Sequence, residues 1–289
     1  MVAATLRAYR AGRGDPTTVL GNGQFWRATL TPEGPGTLHL DWRDGTLRTE
    51  AWGDGAAWLT RQASAMTGAA DPGYVFGPGT HPVVLAAQRN HPAVRFGASR
   101  TPYHELLPTV LAQRITAMEA VRQWRTLCLR LGAPAPGPDE VASHLRLPPD
   151  PEVLADRPTW WFHPLGIEAR RAEALRTVAR HAARLHQWAV EPDLGARLAL
   201  LPGIGQWTIG SVLPLVTGDP DAVAVGDFHL KNVVVHALTG RPRGTDEEML
   251  SLLEPYAGQR GRVVSLLLRD GHRAPKFGPR QRVLPMNRW

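Results

Sequence analysis

Apolar and polar residues alternate between Gln24 and Trp52, and the period then changes. In "QFWRATLT" and "GTLHLDW" the alternation, with Leu38, Leu40 and Trp42 on one side, predicts strands, and the turn pair Asp44-Gly45 leads back into "TLRTEAW". The expectation is an antiparallel sheet from Gln24 to Trp52. "AAWLTRQASAM" then reads as a helix and "GAADPGYVFGPGTHP" as an irregular connection. Beyond about Pro82 the period is helical. Leu107, Leu111, Ile115, Met118, Val121, Leu127 and Leu131 predict a helix that Pro108 delays or kinks, and "GAPAPGP" then breaks the chain. Ala172, Leu175, Val178, Ala182, Leu185 and Ala189 predict the clearest amphipathic helix, with Arg170, Arg171, Arg176, Arg180 and Arg184 on its solvated side. Further on, Thr245 with Glu248 has the pattern of a capping box, and "GRVVSLLLRDG" closes on Gly271. No internal repeat is visible. The pattern predicts an α+β fold: a small N-terminal unit of antiparallel sheet plus helix over residues 1–80, and a mostly α core over 81–289.

Composition narrows what such a chain can be. Its 289 residues, ten of them tryptophan, suffice for two or three packed units. The opening "MVAATLRAYRAGRG" lacks the apolar run of a signal peptide, and no stretch approaches the roughly 18 apolar residues of a membrane span. A cytoplasmic location without a membrane partner follows as the expectation. Cys128 is the sole cysteine, which excludes an intrachain disulfide, a four-cysteine zinc site and a four-cysteine iron–sulfur cluster; within "MEAVRQWRTLCLRL" it reads as a buried thiol. The eleven histidines show no His-Glu-x-x-His spacing, which argues against a metallohydrolase. A net charge of +7, carried by arginine with lysine only at Lys231 and Lys276, favours phosphate-rich partners. Arginine bias also follows from genome composition, so charge ranks as supporting information.

The stretch "LPGIGQWTIGSV", Leu201 to Val212, carries more specific chemistry. Glycines at Gly203 and Gly205 permit unusual backbone geometry and close approach to the amides, Ile204 anchors the turn inward, and a helix starting near Thr208 offers unpaired N–H groups to an anion. Asp227 follows Trp207 by 20 residues in "AVAVGDFHLKN", with a new helix expected at "FHLKNVVVHAL". Read from its neighbours alone, Asp227 is an N-cap, a placement that also holds a carboxylate rigidly for chemistry.

The string Leu-Pro-Gly-Ile-Gly-x-x-Thr resembles the helix-hairpin-helix of DNA-repair glycosylases, which grips phosphate without reading bases. "GDFHLK" is similar to that superfamily's Asp-aromatic-x-x-Lys. The resemblance is closest to the 3-methyladenine DNA glycosylase II branch, whose hairpin also carries tryptophan where this chain has Trp207. "HPVVLAAQRNHPAVRF", "LPTVLAQRITAMEA", "GIEARRAEALRTVARHA" and "EEMLSLLEPYAGQRGRVVSLLL" look like successive parts of its helical core, two subdomains with a cleft between them. The resemblance implies a glycosylase that flips alkylated purines of the 3-methyladenine or 7-methylguanine type out of double-stranded DNA in base excision repair, acting as a nucleoid-associated monomer.

The site residues implied by that resemblance can be named. Asp227 is the catalytic carboxylate. Gly203, Ile204, Gly205, Gln206 and Thr208 hold DNA, and Gln113 and Arg114, in "AQRIT", stand where intercalating residues lie, although polar residues on a solvated helix face read the same way. Trp207 and Phe228 are candidates to stack on the base. "TWWFHPLG", with Trp160, Trp161 and Phe162, is a departure from that branch and not implied by it; it either adds compensating rings to the base pocket or belongs to the core. Ser211 replaces an expected tyrosine, and Leu268 an expected tryptophan. No cofactor is required, and the hairpin carbonyls of Ala199, Leu201 and Ile204 match positions that bind a monovalent or divalent cation. The rival readings are a non-catalytic helix-hairpin-helix DNA-binding protein and a bifunctional glycosylase/lyase. Bifunctional members of the superfamily carry lysine at the position of Trp207, and here only Lys231, four residues beyond Asp227, supplies a nearby amine.

Overall fold

A computed structural model describes residues 2–275; the final part of the predicted helical unit, 276–289, lies outside the described residues. Four strands, β1 (Thr18–Gly21), β2 (Gln24–Thr31), β3 (Gly34–Asp41) and β4 (Arg48–Trp52), form an antiparallel meander in sequence order. The strand β1, not anticipated from the pattern, is turned into β2 by Asn22 and Gly23, both at positive φ, the geometry that a two-residue hairpin requires. Phe25 pairs with Leu40 and Arg27 with Leu38, so these four share one face. That face packs on Leu6, Tyr9, Leu59, Ala63 and Met66, the last three from the Ala56–Met66 helix expected from sequence. Trp26 and Ala28 point the other way and are covered by Ala135, Leu145 and Leu147. Burial of both faces explains why the strands carry so many apolar residues on each side.

The helices form two cores. One is contiguous in sequence, from Tyr103 to Val216. The other joins an early segment, Phe76 to Val94, to a late one, Leu230 to Leu267. In the first, the helix expected across Leu107 to Leu131 is two helices, Pro102–Leu111 and Ala117–Leu131, separated by a turn at Gln113 and Arg114. Pro108 is accommodated inside the first of them. The amphipathic helix expected through Ala189 is likewise divided at His181 into Ala169–Arg180 and Ala182–Trp188. Arg171, expected on the wet side, is only 3% exposed. Its terminal nitrogens are held from within: Nη1 donates to the Leu111 carbonyl and to Gln123 Oε1, both at 2.8 Å, and Nη2 to the Gly166 carbonyl at 3.3 Å, while Nε faces Glu168 at 3.6 Å. Cys128 is buried as expected, and Thr245 with Glu248 forms the full capping box.

Buried polar contacts join the units. Arg27, fully buried in the sheet, donates to Glu105 Oε1 at 2.6 Å and to the Tyr9 carbonyl at 2.8 Å. Beside it His104 lies 3.2 Å from the Thr17 hydroxyl and 2.8 Å from that of Thr29, and Trp124 donates its indole N–H to Asp15 at 3.0 Å. In the second helical core Arg262 donates to both oxygens of Asp71, at 2.8 and 2.9 Å. Burial opposes the Asp71 charge, but Arg262 and the amides of Phe96 and Gly73 hold its carboxyl below the ordinary carboxylate range.

A buried histidine, His104, and a half-buried one, His186, generate a pH dependence. Burial, helped by Arg27, pushes His104 well below its ordinary 6.5, and burial takes His186 down to about 4. The folded state therefore refuses a proton that the unfolded chain accepts, so stability is full above about pH 6.5 and falls as pH drops beneath it. Urea unfolding between about pH 7.5 and pH 5 is expected to show this decline, with each histidine contributing no more than about 1.4 kcal/mol per pH unit. His186→Gln should make the decline shallower, and a flat profile in the unaltered protein would contradict it.

Candidate active site

The hairpin consists of Leu194–Leu198, a turn, and Gln206–Val216. Leu198, Leu201 and Ile204 are buried in the helical core and pin the turn inward, and the Ile204 amide donates to the Leu201 carbonyl at 3.0 Å. Gly203 has φ +88°, and a Cβ there would stand 2.8 Å from that of Ala174, so both conformation and space call for glycine. The second helix starts at Gln206, two residues earlier than expected. Thr116, Asp150 and Thr245 cap their helices with side chains, whereas Gly205 caps this one with none. Its first amides are thus left for an external acceptor. Gly203, Gly205 and Gln206 are exposed, while Ile204 and Thr208 are buried.

Gln113 and Arg114, both candidates for insertion into DNA, take different positions. Gln113 Nε2 donates to the Gly203 carbonyl at 2.9 Å and to the Thr208 hydroxyl at 3.0 Å, locking its turn to the hairpin. Arg114 stands exposed at the turn's apex with φ +58°, a left-handed conformation that is costly for arginine. The buried Arg171 holds this turn from beneath through Leu111.

Asp227 reaches the hairpin because of Gly210. A Cβ on Gly210 would fall 2.1 Å from the Val223 carbonyl oxygen, so the segment leading to Asp227 lies directly on the Gln206–Val216 helix. Asp227 Oδ2 accepts the Trp207 indole N–H at 3.1 Å, and Oδ1 accepts the amides of His229 at 2.8 Å and Leu230 at 2.9 Å. Three of roughly four lone-pair positions on the carboxylate are therefore occupied, and the remainder is free for a reacting group. The helix beyond begins at Leu230, two residues later than expected, and Asp227 serves its first turn. Lys231 does not approach Asp227 as a partner; its Nζ donates to Asp246 Oδ2 at 2.9 Å, and Asp246 Oδ1 accepts the Gly226 amide at 3.0 Å.

The candidate rings separate. Trp207 is half-buried against Asp227, and Phe228 is 79% exposed, edge-on to His229. Phe162 is wholly buried in the helical core and presents no face to a base; Trp161 packs edge-on against it, and Trp160 is 73% exposed. Ser211 donates to the Trp207 carbonyl at 2.7 Å and so serves its own helix. Two exposed apolar residues stand on the site's elements: Leu200 on the hairpin turn, which the sequence reading does not single out, and Met118, expected on a helix's apolar side, in the first turn of the Ala117–Leu131 helix. Among the described residues no three His, Cys, Asp or Glu side chains cluster as a metal site would. The carbonyls of Ala199, Leu201 and Ile204 are oxygen donors suited to a hard cation, that of Leu201 already taking one amide.

No family model matches the chain, and no curated protein matches it in sequence. Solved structures do match. A 3-methyladenine DNA glycosylase from Archaeoglobus fulgidus aligns over 91% of this chain and 93% of its own, with a TM-score of 0.69 and 14% identity. The 8-oxoguanine glycosylase/lyase of Clostridium acetobutylicum, in its apo form, aligns over 89% of each chain, with a TM-score of 0.63 and 11% identity. The Schizosaccharomyces pombe 3-methyladenine DNA glycosylase, in complex with abasic DNA, covers 66% of this chain and 92% of its own, with a TM-score of 0.52 and 18% identity. Among the described residues no helix is long and apolar enough to cross a membrane. By architecture, the chain has the helix-hairpin-helix fold of DNA glycosylases.

Proposed function

We propose that the chain is a monofunctional DNA glycosylase that removes alkylated purines, of the 3-methyladenine and 7-methylguanine type, from double-stranded DNA. The observation that carries this reading is the Asp227 carboxylate, held by three donors beside the half-buried Trp207, on a segment packed directly against the hairpin. Capping accounts for the bonds from His229 and Leu230 but not for the bond from Trp207.

In this reading the uncapped amides of the hairpin's second helix take a backbone phosphate, with a cation at the Ala199, Leu201 and Ile204 carbonyls able to add positive charge. Arg114 enters the gap left by the flipped nucleotide while Gln113 keeps its turn in place. As the C1′–N bond breaks, positive charge grows on the sugar, and Asp227 stabilises it and orients the attacking water. A cationic alkylated base is already a good leaving group, so no separate acid is needed. Trp207 and Phe228 favour such a base, because an aromatic face attracts a cation by about 0.5–2 kcal/mol over its neutral parent. The rival glycosylase/lyase reading needs an amine at C1′. Trp207 holds the hairpin position where the bifunctional enzymes have lysine, and Lys231 is engaged by Asp246.

Asp227→Asn is expected to slow base release by about 10²–10³-fold or more while binding to an abasic-analogue duplex persists. Its amide nitrogen would face the Trp207 N–H, donor against donor, costing about 1–3 kcal/mol of stability that a melting curve would record. Base release at the normal rate would remove Asp227 from the chemistry.

The two hairpin glycines separate grip from fold. A side chain at Gly205 meets no protein atom within 4 Å, so Gly205→Ala should leave the melting temperature unchanged yet weaken duplex binding about tenfold, near the worth of one charge-assisted hydrogen bond. Gly203→Ala should lower both affinity and stability, because it adds overlap with Ala174 to backbone strain of about 1–3 kcal/mol. Equal binding by Gly205→Ala would mean that phosphate is held elsewhere.

A panel of matched duplexes tests the substrate class. Excision of 3-methyladenine or 7-methylguanine should exceed that of uracil and 8-oxoguanine, without strand cleavage and without a borohydride-trapped adduct. A preference for a neutral lesion would show the pocket to be of another kind, and an adduct lost in Lys231→Ala would establish the lyase.

A further inference from the structure

The segment that carries Asp227 begins with a residue that packing does not hold. Gly226 is exposed at φ +89°, and a side chain there would meet nothing within 4 Å. The Asp227 amide closes a turn around it by donating to the Ala224 carbonyl at 3.2 Å, a restraint within the same segment. Asp246 adds a restraint from outside that segment. Its Oδ1 accepts the Gly226 amide at 3.0 Å, and its Oδ2 accepts Lys231 Nζ at 2.9 Å, so one carboxylate ties the residue before Asp227 to the helix that follows it. Asp246 is itself well anchored. It opens the Asp246–Leu253 helix, whose start is closed by the reciprocal bonds of Thr245 and Glu248, and the preceding Gly244 amide donates to Asn232 at 3.1 Å. Burial opposes the Asp246 charge, but Lys231 and the Gly226 amide more than offset it and keep the group ionised.

The geometry assigns Asp246 the role of a positioning residue: it fixes the Gly226 hinge, and through it the aim of Asp227, with Lys231 as its counter-ion. The catalytic part of this assignment rests on the glycosylase reading above; the part concerning the hinge does not. Asp246→Ala removes both ties. Asp246→Asn keeps an oxygen for the Gly226 amide and loses the charge that holds Lys231. Glu247→Gln alters the neighbouring carboxylate, whose charge is felt at Lys231 but which hydrogen-bonds to neither group.

The test measures single-turnover base release from a 3-methyladenine duplex, affinity for an abasic-analogue duplex, and hydrogen exchange of the Gly226 amide by NMR. Asp246→Ala is expected to slow release by about 10- to 100-fold, the scale of a small misplacement of a reacting group, with affinity within about twofold of the unaltered protein. Gly226 exchange should quicken by about tenfold or more. Asp246→Asn should recover most of both effects, and Glu247→Gln should match the unaltered protein. Unchanged exchange in both Asp246 variants would overturn the assignment, as would unchanged release despite faster exchange. Should Asp246→Ala fail to fold, Asp246→Ser, which shortens the side chain and removes its charge, decides in its place: unchanged Gly226 exchange there overturns the assignment. If the unaltered protein releases no base from any duplex, the glycosylase reading falls, and the exchange data still decide whether Asp246 holds the hinge.

Discussion

Arg27 brings a charge into the inner face of the sheet with no solvent to receive it, and whatever meets the sheet has to answer that charge. Glu105 does so at 2.6 Å, from the Pro102–Leu111 helix. Losing one partner of such a pair costs about 3–5 kcal/mol, because the other is left buried and unpaired. An apolar contact could slide; this one cannot. The helix is therefore fixed in rotation and in height on the sheet. At its far end it carries the turn with Gln113, and Gln113 binds the hairpin through Gly203 and Thr208. The placement of the hairpin thus runs back, contact by contact, to a salt bridge in the sheet.

Asp227 shows how one side chain answers two demands. As a helix cap it accepts two amides, a structural use that explains its position without reference to chemistry. The third donor, Trp207, lies on another element 20 residues earlier and contributes nothing to capping. Its presence turns a local cap into a point where two elements converge, with part of the carboxylate still open. Burial alone would not have assembled this: the approach depends on the missing side chain of Gly210, which lets one backbone lie on another.

Much of this was legible in the sequence. The change from period two to a helical period separated the sheet from the helices, and the glycine-rich hairpin with the following aspartate marked the candidate site. The first strand was missed although Asn22-Gly23 is a strong hairpin signal, because β1 is only four residues long and its alternation is too brief to register. Helix breaks at Gln113 and His181 were missed because apolar spacing continues across them; what breaks the first is a turn stabilised by distant partners. Arg171 reads as solvated because charge normally is, and only the Leu111 carbonyl and the Gln123 side chain, remote in sequence, reveal why it is inside. Phe162 stood in an aromatic run whose three rings the fold sends to three different environments. The pairing of Lys231 with Asp246 had no signal at all, since it spans a loop and two helix starts.

The second helical core is built from the chain's early and late parts, with the whole of the first core threaded between them. Two short connections make the crossings, and they run side by side: the amides of Ser99 and Arg100 donate to the carbonyls of Leu215 and Val216. During synthesis the contiguous core is complete once Val216 has emerged, whereas the helix at Pro82–Asn90 must wait with its apolar face bare until residues beyond Leu230 arrive. Asp227 belongs to that late segment. A ribosome stalled or a message truncated before it would leave a folded hairpin with its uncapped amides and no carboxylate beside it.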